Sequence, residues 1–135
     1  MNHHAVKGHR MVTDMVLLGG DDAAPVRAEL RYYRSDPLAV EMRLTVGGEP
    51  AVSWVFGRDL LIEGLRRPCG IGDIRFYPVH ESVIITLRST AGNAVLLSYL
   101  PDLDRFVDHI LHDVPAGAEI THDDIERELT ELGRP

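Results

Sequence analysis

The sequence predicts an α+β domain: an antiparallel, barrel-like sheet of seven strands, with one short inserted helix and two C-terminal helices. Three observations predict it. Apolar and polar residues alternate with period two through much of residues 11–99, as in half-buried antiparallel strands. After Tyr99 the apolar period lengthens to that of a helix. The strands come first and the helices last, which is the order of an α+β chain and not of repeated βαβ units.

Met11 to Leu18 forms the first strand, and Gly19-Gly20-Asp21-Asp22 ends it. In the second, Val26, Ala28, Leu30 and Tyr32 alternate with Arg27, Glu29, Arg31 and Tyr33. Ser35-Asp36-Pro37 turns the chain into the third, where Val40, Met42, Leu44 and Val46 alternate with Glu41, Arg43 and Thr45. Gly47-Gly48 leads to a fourth strand from Ala51 to Trp54, and this reading puts Trp54, near Phe56, in the core. Gly57 to Gly64 is the inserted helix, stopped by Arg66-Arg67-Pro68. Gly72 to Val79, Ser82 to Arg88 and Ala94 to Tyr99 complete the strands, with Ala91-Gly92-Asn93 as a tight hairpin. Pro101 suits the first turn of a helix ending at Val114. Leu100, Leu103, Phe106, Val107, Ile110, Leu111 and Val114 form its apolar stripe. Pro115-Ala116-Gly117 ends it. Thr121 and Asp124 then have capping-box spacing ahead of Ile125, Leu129 and Leu132 at i, i+4 and i+7, a last helix.

The 135 residues suit one domain. Residues 1–10, polar and His-rich, read as a flexible leader, and residues 11–135 as the single domain. The leader lacks the apolar core of a signal peptide. The lone Cys69 rules out an internal disulfide and fits a reducing cytoplasm. No apolar run approaches the roughly 20 residues of a membrane span, so no direct membrane insertion is expected. Residues 1–98 carry 11 acidic and 11 basic side chains, whereas residues 99–135 carry 10 acidic and 3 basic. An acidic C-terminal third repels phosphates and anionic lipids.

The pattern of reactive side chains points to no catalytic residue, no cofactor and no metal. His3, His4 and His9 lie in the leader, and His109 and His112 flank an apolar helical stripe. Zinc would want two further ligands, and neither Cys69 nor His80 belongs to a pair at metal spacing. Nothing places a base beside Cys69. Gly70-Ile71-Gly72 lacks the Lys-Ser/Thr of a phosphate loop and precedes a strand. Single-stranded nucleic acid would need aromatics interleaved with a basic groove. Arg27, Arg31, Arg34, Arg43 and Arg75 could share a face, but Glu29 and Glu41 interrupt it. No nucleic acid is expected.

The segment Val52 to Pro78, VSWVFGRDLLIEGLRRPCGIGDIRFYP, resembles the signature of the SsgA-like family. That signature runs W-x-F-A/G-R-D-L-L-x-E/D-G-L, then R-P, then G-x-G-D-V/I-R-x-W/F/Y-P, many constrained positions at fixed spacing. The stretch Val26 to Ala39, with LRY and SDPLAV, and the turn Val114-Pro115-Ala116-Gly117-Ala118-Glu119 resemble the family's flanking segments. Tyr77 replaces the common tryptophan, and Cys69 a small polar or aliphatic residue, which leaves the subtype open. The resemblance implies a non-enzymatic regulator of sporulation-specific cell division in actinobacteria, cytoplasmic and found at division septa. It implies control of septum-site placement, recruitment of the tubulin-like protein FtsZ, and contact with FtsZ or with other SsgA-like proteins. It also implies a Whirly-like fold assembled as a homotrimer. The rival reading, from that fold similarity, is a single-stranded nucleic-acid-binding protein using the sheet face.

FtsZ-type proteins are acidic on the same family expectation, and like charges suppress association. The acidic C-terminal region is therefore a poor docking face. Arg58, Arg66 and Arg67 flank the inserted helix and are the partner-binding candidates. The plainer alternative is that Arg58 pairs with Asp59 or Glu63, and that Arg66 and Arg67 are merely solvated.

Overall fold

A computed structural model describes residues 8–19 and 21–118. The alternating segments become strands β1 (Gly8–Gly19), β2 (Asp22–Tyr33), β3 (Asp36–Thr45) and β4 (Val52–Gly57). Helix α1 (Arg58–Gly64) follows, then β5 (Cys69–Ile71), β6 (Ile74–Val79), β7 (Ser82–Ser89) and β8 (Gly92–Tyr99), and finally α2 (Leu100–Asp113). All strands join one antiparallel sheet in the order β4-β3-β2-β1-β8-β7-β6-β5. The chain thus makes two meanders, β1–β4 and β5–β8, zipped together by β1 and β8 through Val16, Leu17 and Leu18.

The sheet curls into a half-barrel. Phe56 of β4 and Phe76 of β6 meet across its hollow with ring centroids 5.6 Å apart. Helix α1 fills the gap between the two edges, touching β3 and β4 on one side and β5 and β6 on the other. Its Gly64 lies against Phe76, where an added Cβ would stand 2.5 Å from the phenylalanine Cβ, so this approach requires glycine. Helix α2 lies over β1 and β8. Its stripe Leu103, Phe106, Val107 and Ile110 is buried, and Thr13 of β1 donates to Asp102 in its first turn at 2.8 Å. The core is the concave face: Met15, Val26, Ala28, Leu30, Tyr32, Val40, Met42, Phe76, Val83, Ile85 and Leu96 are each at most 2% exposed.

Four expectations change. Among the described residues the strands number eight and not seven, because Cys69–Ile71 forms a hairpin with Ile74–Phe76. Three residues are too few to show an alternation, and the turn is made by Gly72, whose φ of +62° suits glycine. Strand β1 begins at Gly8, so His9 and Arg10 belong to the sheet and not to a leader; residues 1–7 lie outside the described residues. Trp54 is half-buried and packs against the edge of the core instead of within it. The β2–β3 turn is Arg34-Ser35, one residue earlier than read, with Asp36 already paired to Tyr33. The last helix, expected around residues 121–132, lies outside the described residues.

Candidate protein-interaction surface

Period two decides what the convex face of the sheet presents, and the two meanders present different chemistry. On β2 and β3 it is charged. Arg31 donates from Nε to Glu29 Oε2 at 2.9 Å and lies 4.0 Å from Glu41 Oε1; Arg10 of β1 also pairs with Glu29. The hydrogen bond from Arg31, aided by Arg10, holds the Glu29 carboxyl below the usual carboxylate range against the opposing effect of burial. Arg27 and Arg43 share this face, while Arg34 leaves it to bind Asp113 and Arg75 lies far across the sheet on β6. The five arginines do not form one basic groove.

The other meander turns an apolar band outward. The ladder pairs Pro25, Val16, Leu97, Ile84 and Tyr77 in a single row across β2, β1, β8, β7 and β6. Leu18 and Val95 continue it on one side, and Tyr99 and Val79 flank Ser82 on the other. Leu18, Tyr77, Val79 and Tyr99 are 37–49% exposed. Among the described residues no helix covers this face. Contiguous outward apolar surface can serve as a contact face for a protein, a membrane or a ligand, which makes this band a candidate interaction surface. Read from the sequence, these strands have bounds, and no face is assigned to these residues. Only the strand order, which the sequence does not show, lines them up.

The three arginine candidates separate. Arg58 is fully buried and is therefore withdrawn as a partner-binding residue. Its Nη1 donates to Tyr32 Oη at 3.0 Å and to the Val114 carbonyl at 2.5 Å, and its guanidinium carbon lies 5.7 Å from the Tyr32 ring centroid. Tyr32 Oη in turn donates to the Pro37 carbonyl at 3.0 Å. The local pairing with Asp59 or Glu63 is not what holds it. Arg66 and Arg67 are exposed just past α1. Arg67 makes an i,i+4 pair with Glu63 at 2.8 Å, and Arg66 meets no carboxylate among the described residues.

Among the described residues histidine and cysteine form no reactive centre. His9 Nε2 lies 3.1 Å from Asp113 Oδ2, and Arg34 Nε donates to Oδ1 of the same carboxylate at 2.7 Å. The Arg34 hydrogen bond, with help from His9, holds Asp113 below its ordinary range. His109 sits edge-on to His9 with centroids 6.4 Å apart, and His112 is exposed. Among the described residues no group of three His, Cys, Asp or Glu side chains could hold a metal ion. Cys69 Sγ lies 3.7 Å from the Leu60 carbonyl, and burial, reinforced by the nearby Glu63, pushes its thiol up, away from the nucleophilic thiolate. Among the described residues no helix is long and apolar enough to cross a membrane.

The concave side of the sheet carries a further feature. Where β3 and β4 face β7 and β8, the half-barrel stays open as an apolar groove of about 330 Å³. Leu17, Val46, Val52, Trp54, Leu87 and Ala94 line it, with Glu49 at its edge.

An antiparallel half-barrel of eight strands with two helices among the described residues belongs to the α+β class. Comparison with known proteins narrows the class. A family model described as Streptomyces sporulation and cell division protein, SsgA, matches residues 26–119. The sporulation-specific cell division protein SsgB of Streptomyces coelicolor is 39% identical over 121 residues, 87% of this chain and 88% of that protein. SsgB of Saccharopolyspora erythraea is 36% identical over 134 residues, 97% of this chain and 94% of that one. Among solved structures, an SsgA-like sporulation-specific cell division protein from Thermobifida fusca superposes with a TM-score of 0.83 at 30% identity, covering 97% of this chain and 99% of that one. A structure from a study of SsgB mutations and longitudinal cell division in sporulating Streptomyces coelicolor gives 0.80 at 36%, over 87% and 97%. The chain belongs to the SsgA family of sporulation and cell division proteins.

Proposed function

We propose that this chain is a non-enzymatic adaptor of sporulation-specific cell division that sets septum position and brings FtsZ to the chosen sites. It works as a homo-oligomer, a trimer on the family's pattern, and contacts FtsZ directly or through another SsgA-like protein. The observation that carries this reading is the apolar row Pro25–Val16–Leu97–Ile84–Tyr77, a surface suited to protein contact in a member of a cell-division family. The exposed Arg66 and Arg67 offer an acidic partner a second point of contact. Against the nucleic-acid reading stand the pairing of Arg31 and Arg10 with acidic neighbours and the burial of Tyr32, Phe56 and Phe76, which removes them as stacking platforms.

A fluorescent fusion in a sporulating actinobacterium tests the proposal. Regularly spaced foci that coincide with FtsZ rings at future septa are expected. A signal that follows the nucleoids would select the nucleic-acid reading, and a diffuse signal would remove the role in septum placement.

A further inference from the structure

Strand β4 is an edge: it pairs with β3 alone among the described residues. A sheet edge presents unpaired backbone N–H and C=O groups, and proteins that keep such an edge to themselves blunt it with proline, lysine or a bulge. Val52–Gly57 has none of these, and its pairing with β3 runs without a break from Val52 to Gly57; helix α1 follows its Gly57 end, and no α1 residue lines the groove beside Val52 and Trp54. Val52 and Val55 are 58% and 67% exposed. The concave side of the same strand borders the groove, with Val52 and Trp54 in its lining. A strand added to β4 would direct every second side chain toward that groove.

We propose that the β4 edge and the groove beside it form a docking site for an extended segment of a partner protein. The segment is apolar at alternate positions and carries Lys or Arg at its two ends. Backbone hydrogen bonds to β4 would supply affinity, and the groove would supply specificity through the alternate side chains. The charge requirement comes from what brackets the edge. Glu49 lines the groove ahead of β4, exposed Asp59 follows its far end, and beyond Leu17 lie Asp21 in the β1–β2 turn and Asp22 at the start of β2. No Lys or Arg is among the described residues lining the groove. The chain's own C-terminal stretch, residues 119–135, is a poor occupant on the same ground, with six acidic and two basic side chains.

Trp54 is the only tryptophan, so its emission reports this site alone. The probe is a synthetic peptide of alternating leucine and threonine, six residues long, with two lysines at each end. Its titration is expected to shift Trp54 emission saturably and to slow amide hydrogen exchange in Val52–Gly57. A matched peptide ended by glutamates is expected to bind about fivefold more weakly, and Glu49→Lys to cost the lysine-ended peptide a similar factor. Glu49 is exposed in a turn, so that variant keeps the fold. No saturable shift, equal binding of the two peptides, or a shift without protection of the β4 amides would overturn the proposal. A Trp54 shift that follows protein concentration with no peptide present would make a second copy of the chain the occupant, and would overturn it as well.

Discussion

Arg58 holds together three parts of the chain that are far apart in sequence. Its guanidinium reaches the hydroxyl of Tyr32 on β2 and the carbonyl of Val114 just past α2, from the first residue of α1. A charged group can be buried only when hydrogen-bonded, and here it also gains from the adjacent Tyr32 ring. Arg58→Ala removes these bonds and leaves a void, so stability is expected to fall by at least roughly 1.5–3 kcal/mol, the range for bonds to a charged group. Arg58→Lys is expected to recover little, because its ammonium ends one bond short of Nη1, the nitrogen that makes both bonds, and lacks the flat guanidinium set against the Tyr32 ring. Urea denaturation of the three proteins measures this, and equal midpoints would show that the network contributes nothing. The role was illegible in the sequence. Arg58 stands among Arg66, Arg67, Asp59 and Glu63, and only the fold distinguishes a buried guanidinium from a solvated one. Trp54 misled in the opposite direction: near Phe56 on an apolar strand it read as core, but β4 is an edge, so Trp54 is half-buried and its neighbours Val52 and Val55 are exposed.

At the scale of elements, long alternations were readable and short pieces were not. Strands β2 and β3 have apolar inner rows that differ plainly from their outer residues over most of their length, and α2 has four buried positions on one stripe. Strand β5 has only Cys69, Gly70 and Ile71, and β1 starts among polar residues whose place depends on pairing Gly8 with Tyr33. How α2 is anchored depends on contacts distant in sequence. Its first turn is held by Thr13 through Asp102, and its last by Arg34 and His9 through Asp113. The Asp113 carboxyl is held below its ordinary range in the folded state, so ionisation favours folding. That contribution is complete above the unfolded value of about 3.9 and is lost as pH falls through the lowered folded value. Asp113→Asn is therefore expected to melt below wild type at pH 6 and to converge with it as the solution is acidified. Glu29 is lowered too and remains in both proteins, so the informative quantity is the difference between their melting curves from pH 6 to 2. A difference that stays constant with pH would mean the carboxylate's charge is not what anchors the helix.

At the scale of the whole molecule, the sheet separates its possible contacts. Charged residues that largely neutralise one another cover β2 and β3, the apolar band crosses β1, β8, β7 and β6, and Arg66 and Arg67 project beyond α1. This separation suits an adaptor, since self-association and partner capture can then be altered independently. Reversing Arg66 and Arg67 to glutamate is expected to keep the fold and the assembled mass but weaken co-sedimentation with FtsZ polymers. Arg67 gives up only an exposed pair with Glu63, which stabilises little. The band makes the complementary prediction. Leu18 and Tyr77 are 40% and 37% exposed, so carboxylates there meet water in the monomer and leave the core untouched. Against the surface of a second copy, the carboxylates would be desolvated without partners, a cost of several kcal/mol per buried ion. Leu18→Glu combined with Tyr77→Glu is thus expected to convert the assembly to a monomer of 15.0 kDa by light scattering, with an unchanged circular dichroism spectrum. The same double variant should still bind the lysine-ended peptide at β4, because the groove opens on the other face of the sheet. An unchanged multiple of the monomer mass would show that the copies meet elsewhere and would leave the band as a surface for a different protein.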